Sequence, residues 1–321
     1  MPGYGRLARL DQEGMKDGAR VDSDNYGKED ARDFVLWKAS KPGEPSWDVV
    51  DPSGRPGWHL ECSAMALRLL GEPPIDIHSG GVDLIFPHHE NEIAQSEGAT
   101  NKPFSRFWVH VEHLFVENEK MSKSLGNTYT IPDVVARGHR VSALRYLLLS
   151  SHYRKPLNFT WDSLAQMEAS LCRLTDCLAR LDAVKRGGSR PAIAARVEEA
   201  RTAFAAALTH DLNTAGALGA VFDLVRMVNS AIDAGELGEG DVPLIRDAFD
   251  GFDRVLGVLR LRRAEDEQPP VATEEIGRLI EERNAARRRR DFGEADRIRD
   301  ALLERGVLLE DSAAGTRWKR K

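Results

Sequence analysis

A chain of 321 residues is long enough for two or three domains, and a hydrophobic share of 41% is ordinary for a protein that buries real cores. The net charge of -6 disfavours a protein that coats nucleic acid indiscriminately, although local basic patches steer a polyanion whatever the total. Three cysteines make no disulfide framework, no run approaches the roughly 18 apolar residues of a membrane span, and the opening Met1-Pro2-Gly3-Tyr4-Gly5 lacks the basic and apolar regions of a secretion signal, so a cytosolic protein is expected.

Residues 1 to about 30 carry early glycines, no sustained period and the polar run Asp22-Ser23-Asp24-Asn25, which reads as an exposed connector. From Phe34 to about Phe107, short apolar runs such as Ile75-Asp76-Ile77 and Leu84-Ile85-Phe86 alternate with Gly/Pro turns and helical stretches. That pattern predicts strands of a mixed sheet packed on helices. After Ser142 helical spacing takes over, with Leu144, Leu147 and Leu148 on one face and strong helix formers over residues 164–181 and 200–208. Gly187-Gly188-Ser189-Arg190-Pro191 separates two of these helices, and Glu265-Asp266-Glu267 with Pro269-Pro270 predicts a linker before a last small domain. There Ile276, Leu279, Ile280 and Arg283 predict one helix, Ala295, Ile298, Ala301 and Leu302 a second, and Gly306 its end.

Three constellations carry chemistry. In Pro87-His88-His89-Glu90-Asn91-Glu92 the spacing of His88 and Glu92 puts both on one face of a helix opened by a proline, so imidazole and carboxylate can converge on one ion. Cys62, upstream in Trp58-His59-Leu60-Glu61-Cys62, adds a thiolate, and such a set suits zinc better than magnesium or calcium. The same spacing also describes an ordinary surface pair beside a core thiol. The second is Glu119-Lys120-Met121-Ser122-Lys123-Ser124-Leu125-Gly126-Asn127, a cationic multi-donor loop able to offset charge growing on a triphosphate. The third, His78-Ser79-Gly80-Gly81-Val82-Asp83, lets backbone approach a ligand, with Asp83 able to accept from ribose hydroxyls. Many plain turns read the same way.

These strings resemble the cysteinyl-tRNA synthetase family of class I enzymes in order and spacing. The segments concerned are 54–65, 76–92 and the Lys120–Ser124 signature, then Asp211-Leu212-Asn213-Thr214 and the close at residues 306–318. The resemblance runs from Tyr4 to the end. It implies an α/β fold followed by an all-α part: a connector (1–30), the second half of a Rossmann-like catalytic domain (31–110), a signature-loop, stem-contact region (111–158), a tRNA-binding helical bundle (159–264) and a small basic anticodon-recognition domain (265–321).

Position by position it implies that Cys62, His88 and Glu92 bind Zn2+ for the substrate thiolate and that Trp58 and His78 line the cysteine pocket. Asp83 faces the ribose of ATP, and Lys120 and Lys123 act on its phosphates, Mg2+ accompanying ATP, with Lys123 the direct contact. His89 is left as either support for the metal or a helix-end residue. Thiolate binds zinc and a serine hydroxyl does not, so no editing domain is needed.

The family's first signature, His-Ile-Gly-His, is absent from this sequence, and its fourth zinc ligand belongs to the same missing part. Cys172 and Cys177 are expected to pack inside the bundle. A truncated gene product, one half of a split synthetase completed by a separate N-terminal half, and a tRNA-binding remnant are all compatible with the sequence. An incomplete sheet is expected to expose apolar surface. A cysteine to amino-sugar ligase of mycothiol synthesis shares the catalytic resemblance. The arginine run at residues 287–290 and Trp318 favour tRNA(Cys) instead, through phosphate contacts and stacking on unpaired bases, although such a run is also how a solvated helix face looks.

Overall fold

A computed structural model describes residues 3–9, 33–49, 53–185, 187–267, 271–312 and 315–320. The Asp22–Asn25 run, most of the expected connector and Pro269-Pro270 lie outside the described residues. The chain divides into two units, Met1–His113 with Tyr153–Pro156, and Leu114–His152 with Leu157–Lys321.

In the first unit β1 (Trp37–Ala39) and β2 (Gly54–Pro56) pair antiparallel and lead into α1 (Trp58–Leu70). Then β3 (Ile75–Gly81) runs parallel to β4 (Ser105–Val111), with His78 opposite Trp108 and Gly80 opposite His110. The crossover between them is α2 (Glu90–Thr100), as parallel strands require. Leu84-Ile85-Phe86 is not the expected strand: Val82–Leu84 is a 3-10 turn and Ile85–His89 a single π turn. A short apolar run does not distinguish strand from buried helix. Only Phe86 keeps an extended backbone (φ -135, ψ 132), the conformation a following proline imposes. The paired residues Ile77 and Phe107 are 62% and 65% exposed, an apolar patch on this two-stranded sheet. Residues 3–9 also depart from an exposed connector: Gly5 is buried and Tyr4 half-buried, because buried polar groups of α2 hold them.

In the second unit β5 (Leu114–Val116) lies between β6 (Glu119–Lys120), antiparallel, and β7 (Leu157–Phe159), parallel. α3 (Ile131–Ala136) opens on a Thr130/Asp133 capping box and precedes α4 (Val141–Leu149). α5 (Trp161–Leu181) opens on a second box, Thr160/Ser163. α6 (Pro191–Thr209) has proline at its first position, where the missing N–H costs nothing. α7 (Thr214–Asp233), capped by Asn213, α8 (Val242–Leu256) and α9 (Leu259–Asp266) complete the bundle.

Leu171, Leu178, Val197, Phe204, Val221, Leu224, Ile245 and Phe249 form its core. By length and composition α7 could cross a bilayer, but its Leu218, Val221, Leu224, Val225 and Val228 are buried among the other helices. Cys177 is fully buried and Cys172 half-buried in the bundle, and burial pushes the Cys177 thiol up to about 11.

Glu265 and Asp266 belong to the last turn of α9 rather than to a linker. Their carboxylates have partners that favour burial: Val141 N–H and Ser142 Oγ donate to Glu265 at 2.7 and 2.6 Å, and Arg140 pairs with Asp266. Finally α10 (Thr273–Arg288) and α11 (Phe292–Glu304) pack against the hairpin β8 (Val307–Ser312) and β9 (Gly315–Arg320) around Val271, Ile276, Ile298, Leu302 and Val307. Gly306 supplies the left-handed residue (φ 80) after α11.

Candidate active site

The sequence His88-His89-Glu90-Asn91-Glu92 is buried throughout. Polar groups are buried when partners or a ligand compensate their desolvation, so this run marks a site. His88 and His89 close the kinked turn Ile85–His89 and lead directly into α2, and both imidazoles are buried. α1 supplies Cys62. The Cys62 sulfur, a His88 ring nitrogen and a Glu92 oxygen all lie within 4.8 Å of one another.

The surrounding bonds fix that geometry. His88 Nε2 is 3.5 Å from Glu92 Oε2, and its Nδ1 is 2.7 Å from His59 Nδ1. His78 Nε2 is 3.0 Å from Glu92 Oε2, and His89 Nδ1 is 2.8 Å from His110 Nε2. His78, His89 and Glu92 thus form a second close triad around the same carboxylate. Burial, then Glu92 and Glu61, pushes the Cys62 thiol up. Burial, then neighbouring His78, His110 and His88, lowers His89 to about 3, and burial lowers His110 as well. Both shifts favour the neutral imidazole.

The Glu92 Oε1 atom is buried with no hydrogen-bond partner among the described residues. An orphaned buried carboxylate oxygen beside a sulfur and an imidazole is what a bound cation would satisfy, and mixed S, N and O donors match zinc. The residues therefore fit the metal that the sequence implies. His59 and His110 were missed by sequence reasoning. His59 stands next to Trp58 and three residues before Cys62, and His110 reaches the cluster only through its strand register.

Other candidate residues are placed as follows. Trp58 begins α1 one turn before Cys62 and is 71% exposed. His78 packs its ring against Trp108 and His89, at 4.9 and 4.8 Å between centroids. Asp83 is exposed in the 3-10 turn, and its Oδ1 lies 2.3 Å from where a Cβ on Gly81 would stand. A Cβ on Gly80 would meet His89 Cε1 at 2.9 Å. At Gly80 a side chain would crowd the buried His89 ring, whereas at Gly81 it would displace only the exposed Asp83 carboxylate.

Lys120 ends β6 and Lys123 lies on the loop that follows it, both exposed, in the second unit. Asn127 ties the loop across its base, accepting from Ser122 N–H at 2.8 Å and donating to Lys120 O at 3.2 Å. Gly126 takes the left-handed conformation (φ 66) at the turn. The two ammonium groups are thereby carried on a closed loop whose ends are held.

In the small domain Arg283 is buried and makes two bonds to Asp311, at 2.9 and 2.8 Å, and Arg287 adds a third at 2.7 Å. Arg288, Arg289 and Arg290 are exposed, whereas Trp318 is half-buried against the domain core. Hydrogen bonds from Arg283, then Thr316, hold the Asp311 carboxyl below its ordinary range. A depressed carboxyl contributes stability above its unfolded value, about 3.9, and loses it as pH falls through the folded value. Asp311→Asn is therefore expected to melt below the wild type at pH 7, with the gap closing below about pH 4, as thermal melts across pH would record.

Residues 1–169 match the family described as tRNA synthetases class I (C) catalytic domain, residues 203–260 the DALR domain, and residues 270–318 the cysteinyl-tRNA ligase anticodon binding domain. The chain is 51% identical over 321 residues to a cysteine–tRNA ligase of Solibacter usitatus, covering 100% of this chain and 68% of that protein. It is 47% identical to those of Koribacter versatilis (100% of this chain, 70% of the relative) and Geobacter sulfurreducens (99% and 69%). Among solved structures, LeuRS of Agrobacterium radiobacter K84 in a ternary complex with tRNA and LeuAMS shares the fold. Its TM-score is 0.51 at 16% identity, over 70% of this chain and 34% of that one.

Proposed function

Because the chain belongs to the cysteine–tRNA ligase family of class I synthetases, we propose that it carries the cysteine-selecting and phosphate-handling parts of an ATP-dependent, cytoplasmic ligase that charges tRNA(Cys). The observation that carries this reading is the convergence of Cys62, His88 and Glu92 with an orphaned Glu92 oxygen. Those three side chains would hold zinc, which when bound would supply a soft Lewis acid that favours a cysteine thiolate over a serine hydroxyl.

The chain's own residues do the rest. His78 and His59 orient the Glu92 and His88 donors, and Trp58 and His78 line the cysteine pocket. Asp83 accepts from the ribose of ATP. Lys120 and Lys123, aided by Mg2+, offset charge on the phosphates as the cysteine carboxylate attacks the α-phosphorus and pyrophosphate leaves. The tRNA 3′ hydroxyl then takes the acyl group. Catalysis is positioning and electrostatic stabilisation, with no protein nucleophile. Arg288, Arg289 and Arg290 meet tRNA phosphates in the anticodon domain.

The amino-sugar ligase reading is set aside because residues 270–318 match an anticodon binding domain. In this proposal a segment bearing His-Ile-Gly-His, absent from this sequence, completes ATP binding. The test is cysteine-dependent exchange of pyrophosphate into ATP, run with this chain alone and with that segment supplied. Exchange is expected only in the second case, with serine inert. Exchange that proceeds equally with serine would overturn the pocket assignment.

A further inference from the structure

Glu90 and Asn91 stand between His88 and Glu92 in sequence but face away from the metal donors. Each is 1% exposed, and both are spent on residues 4–8. Gly5 N–H donates to Glu90 Oε2 at 2.9 Å, and Ala8 N–H donates to Glu90 Oε1 at 2.7 Å. The Tyr4 hydroxyl donates to Asn91 Oδ1 at 2.5 Å. Arg6 adds a looser pair with Glu97, one turn and more along α2, at 3.8 Å. Both oxygens of one buried carboxylate are thus occupied by backbone amides more than eighty positions earlier in the chain. Gly5, at φ 90, allows the turn that presents them.

A second path runs through rings. Tyr4 stacks on Phe34 (6.3 Å, 13°), Phe34 meets His59 edge-on (6.2 Å, 84°), and His59 lies against His88 (5.0 Å). The first turn of α2 is therefore gripped on two sides, by the metal donors on one and by residues 4–8 on the other. Two groups that share a rigid turn are energetically coupled.

We propose that Glu90 is a positioning residue for the metal site: it clasps residues 4–8 and so fixes the turn that aims His88 and Glu92 at the cation. The proposal rests on the zinc reading above and adds its reciprocal consequence, that zinc binding tightens the clasp. Glu90→Gln replaces one acceptor oxygen by an amide that can only donate, breaking one of the two backbone bonds while preserving shape.

The experiment compares wild type, Glu90→Gln and Tyr4→Phe by zinc competition with a chromophoric chelator, and by trypsin cleavage after Arg6 and Arg9 followed by mass spectrometry, with and without added zinc. Glu90→Gln is expected to weaken zinc binding by about 10- to 100-fold, the range for lost outer-shell support, and to speed cleavage. Zinc is expected to slow cleavage in the wild type, which a purely structural clasp would not produce. Tyr4→Phe, a milder change, is expected to move both readouts in the same direction and decides the matter if Glu90→Gln does not fold. Wild-type zinc affinity in the variants, or cleavage indifferent to zinc, would overturn the clasp while leaving the zinc site standing. A wild type that binds no zinc would overturn both.

Discussion

Arg140→Ala is expected to lower the stability of the helical unit by about 3–5 kcal/mol, the cost of removing one member of a buried ion pair. Arg140 is 1% exposed at its side chain, just before α4, yet its partners lie far along the chain. Its Nε is 3.4 Å from Glu168 of α5, and its NH1 pairs with Asp266 of α9. Arg262 pairs with the same Glu168 and lies 3.5 Å from Asp266, and Glu265 accepts from the first amides of α4. Deleting Arg140 leaves Glu168, 20% exposed at its side chain, and Asp266, 45% exposed, sharing the buried guanidinium of Arg262. At about 2–4 °C per kcal/mol for a unit of this size, the melting temperature falls by on the order of 10 °C. Arg263→Ala, at a 3.5 Å pair with Asp250 exposed on both sides, is the control and is expected to cost under about 1 kcal/mol. Equal melting of the two variants would show that the buried cluster contributes no more than a surface pair.

With the segment bearing His-Ile-Gly-His supplied, Lys123→Ala is expected to slow cysteine-dependent pyrophosphate exchange by about 10²–10³-fold, the usual effect of removing one preorganised charge donor from a transition state. The loop that carries Lys123 is closed by Asn127 through bonds to Ser122 N–H and Lys120 O, so the substitution removes an ammonium group without releasing the loop ends. Zinc content and the KM for cysteine are expected to stay near wild type, because Lys123 belongs to a different unit from Cys62, His88 and Glu92. Lys123→Arg keeps the charge but not the compact geometry, and falls between the two. A change in exchange of less than threefold would remove Lys123 from the phosphate site.

Much of this architecture is legible in the sequence because local signals and packing agree. The helix formers over residues 164–181 and 200–208 lie within α5 and α6, and Pro191 begins the second as a first-turn proline should. Ile75-Asp76-Ile77 is a strand, and the His88/Glu92 spacing does bring the two side chains together. What was not legible depends on partners distant in sequence. Leu84-Ile85-Phe86 has strand composition, but the crossover from β3 to β4 makes it turn. Glu265 and Asp266 have linker composition, and only the donors of Arg140 and Ser142 make burying them favourable. Glu90 reads as a surface acid until the amides of Gly5 and Ala8 are placed against it. His110 reads as a strand residue until its ring meets His89. Trp318, which the sequence offered as a stacking platform, spends part of its ring on the small core, and Arg287 is tied to Asp311.

Metal analysis of the purified, dialysed chain beside its Cys62→Ala variant tests the account where it is most exposed, since among the described residues Cys62 alone brings sulfur to the cluster. The account predicts about one zinc per wild-type chain and a large loss in the variant, because the thiolate is the donor that selects zinc over harder cations. The same zinc content in both proteins would contradict it.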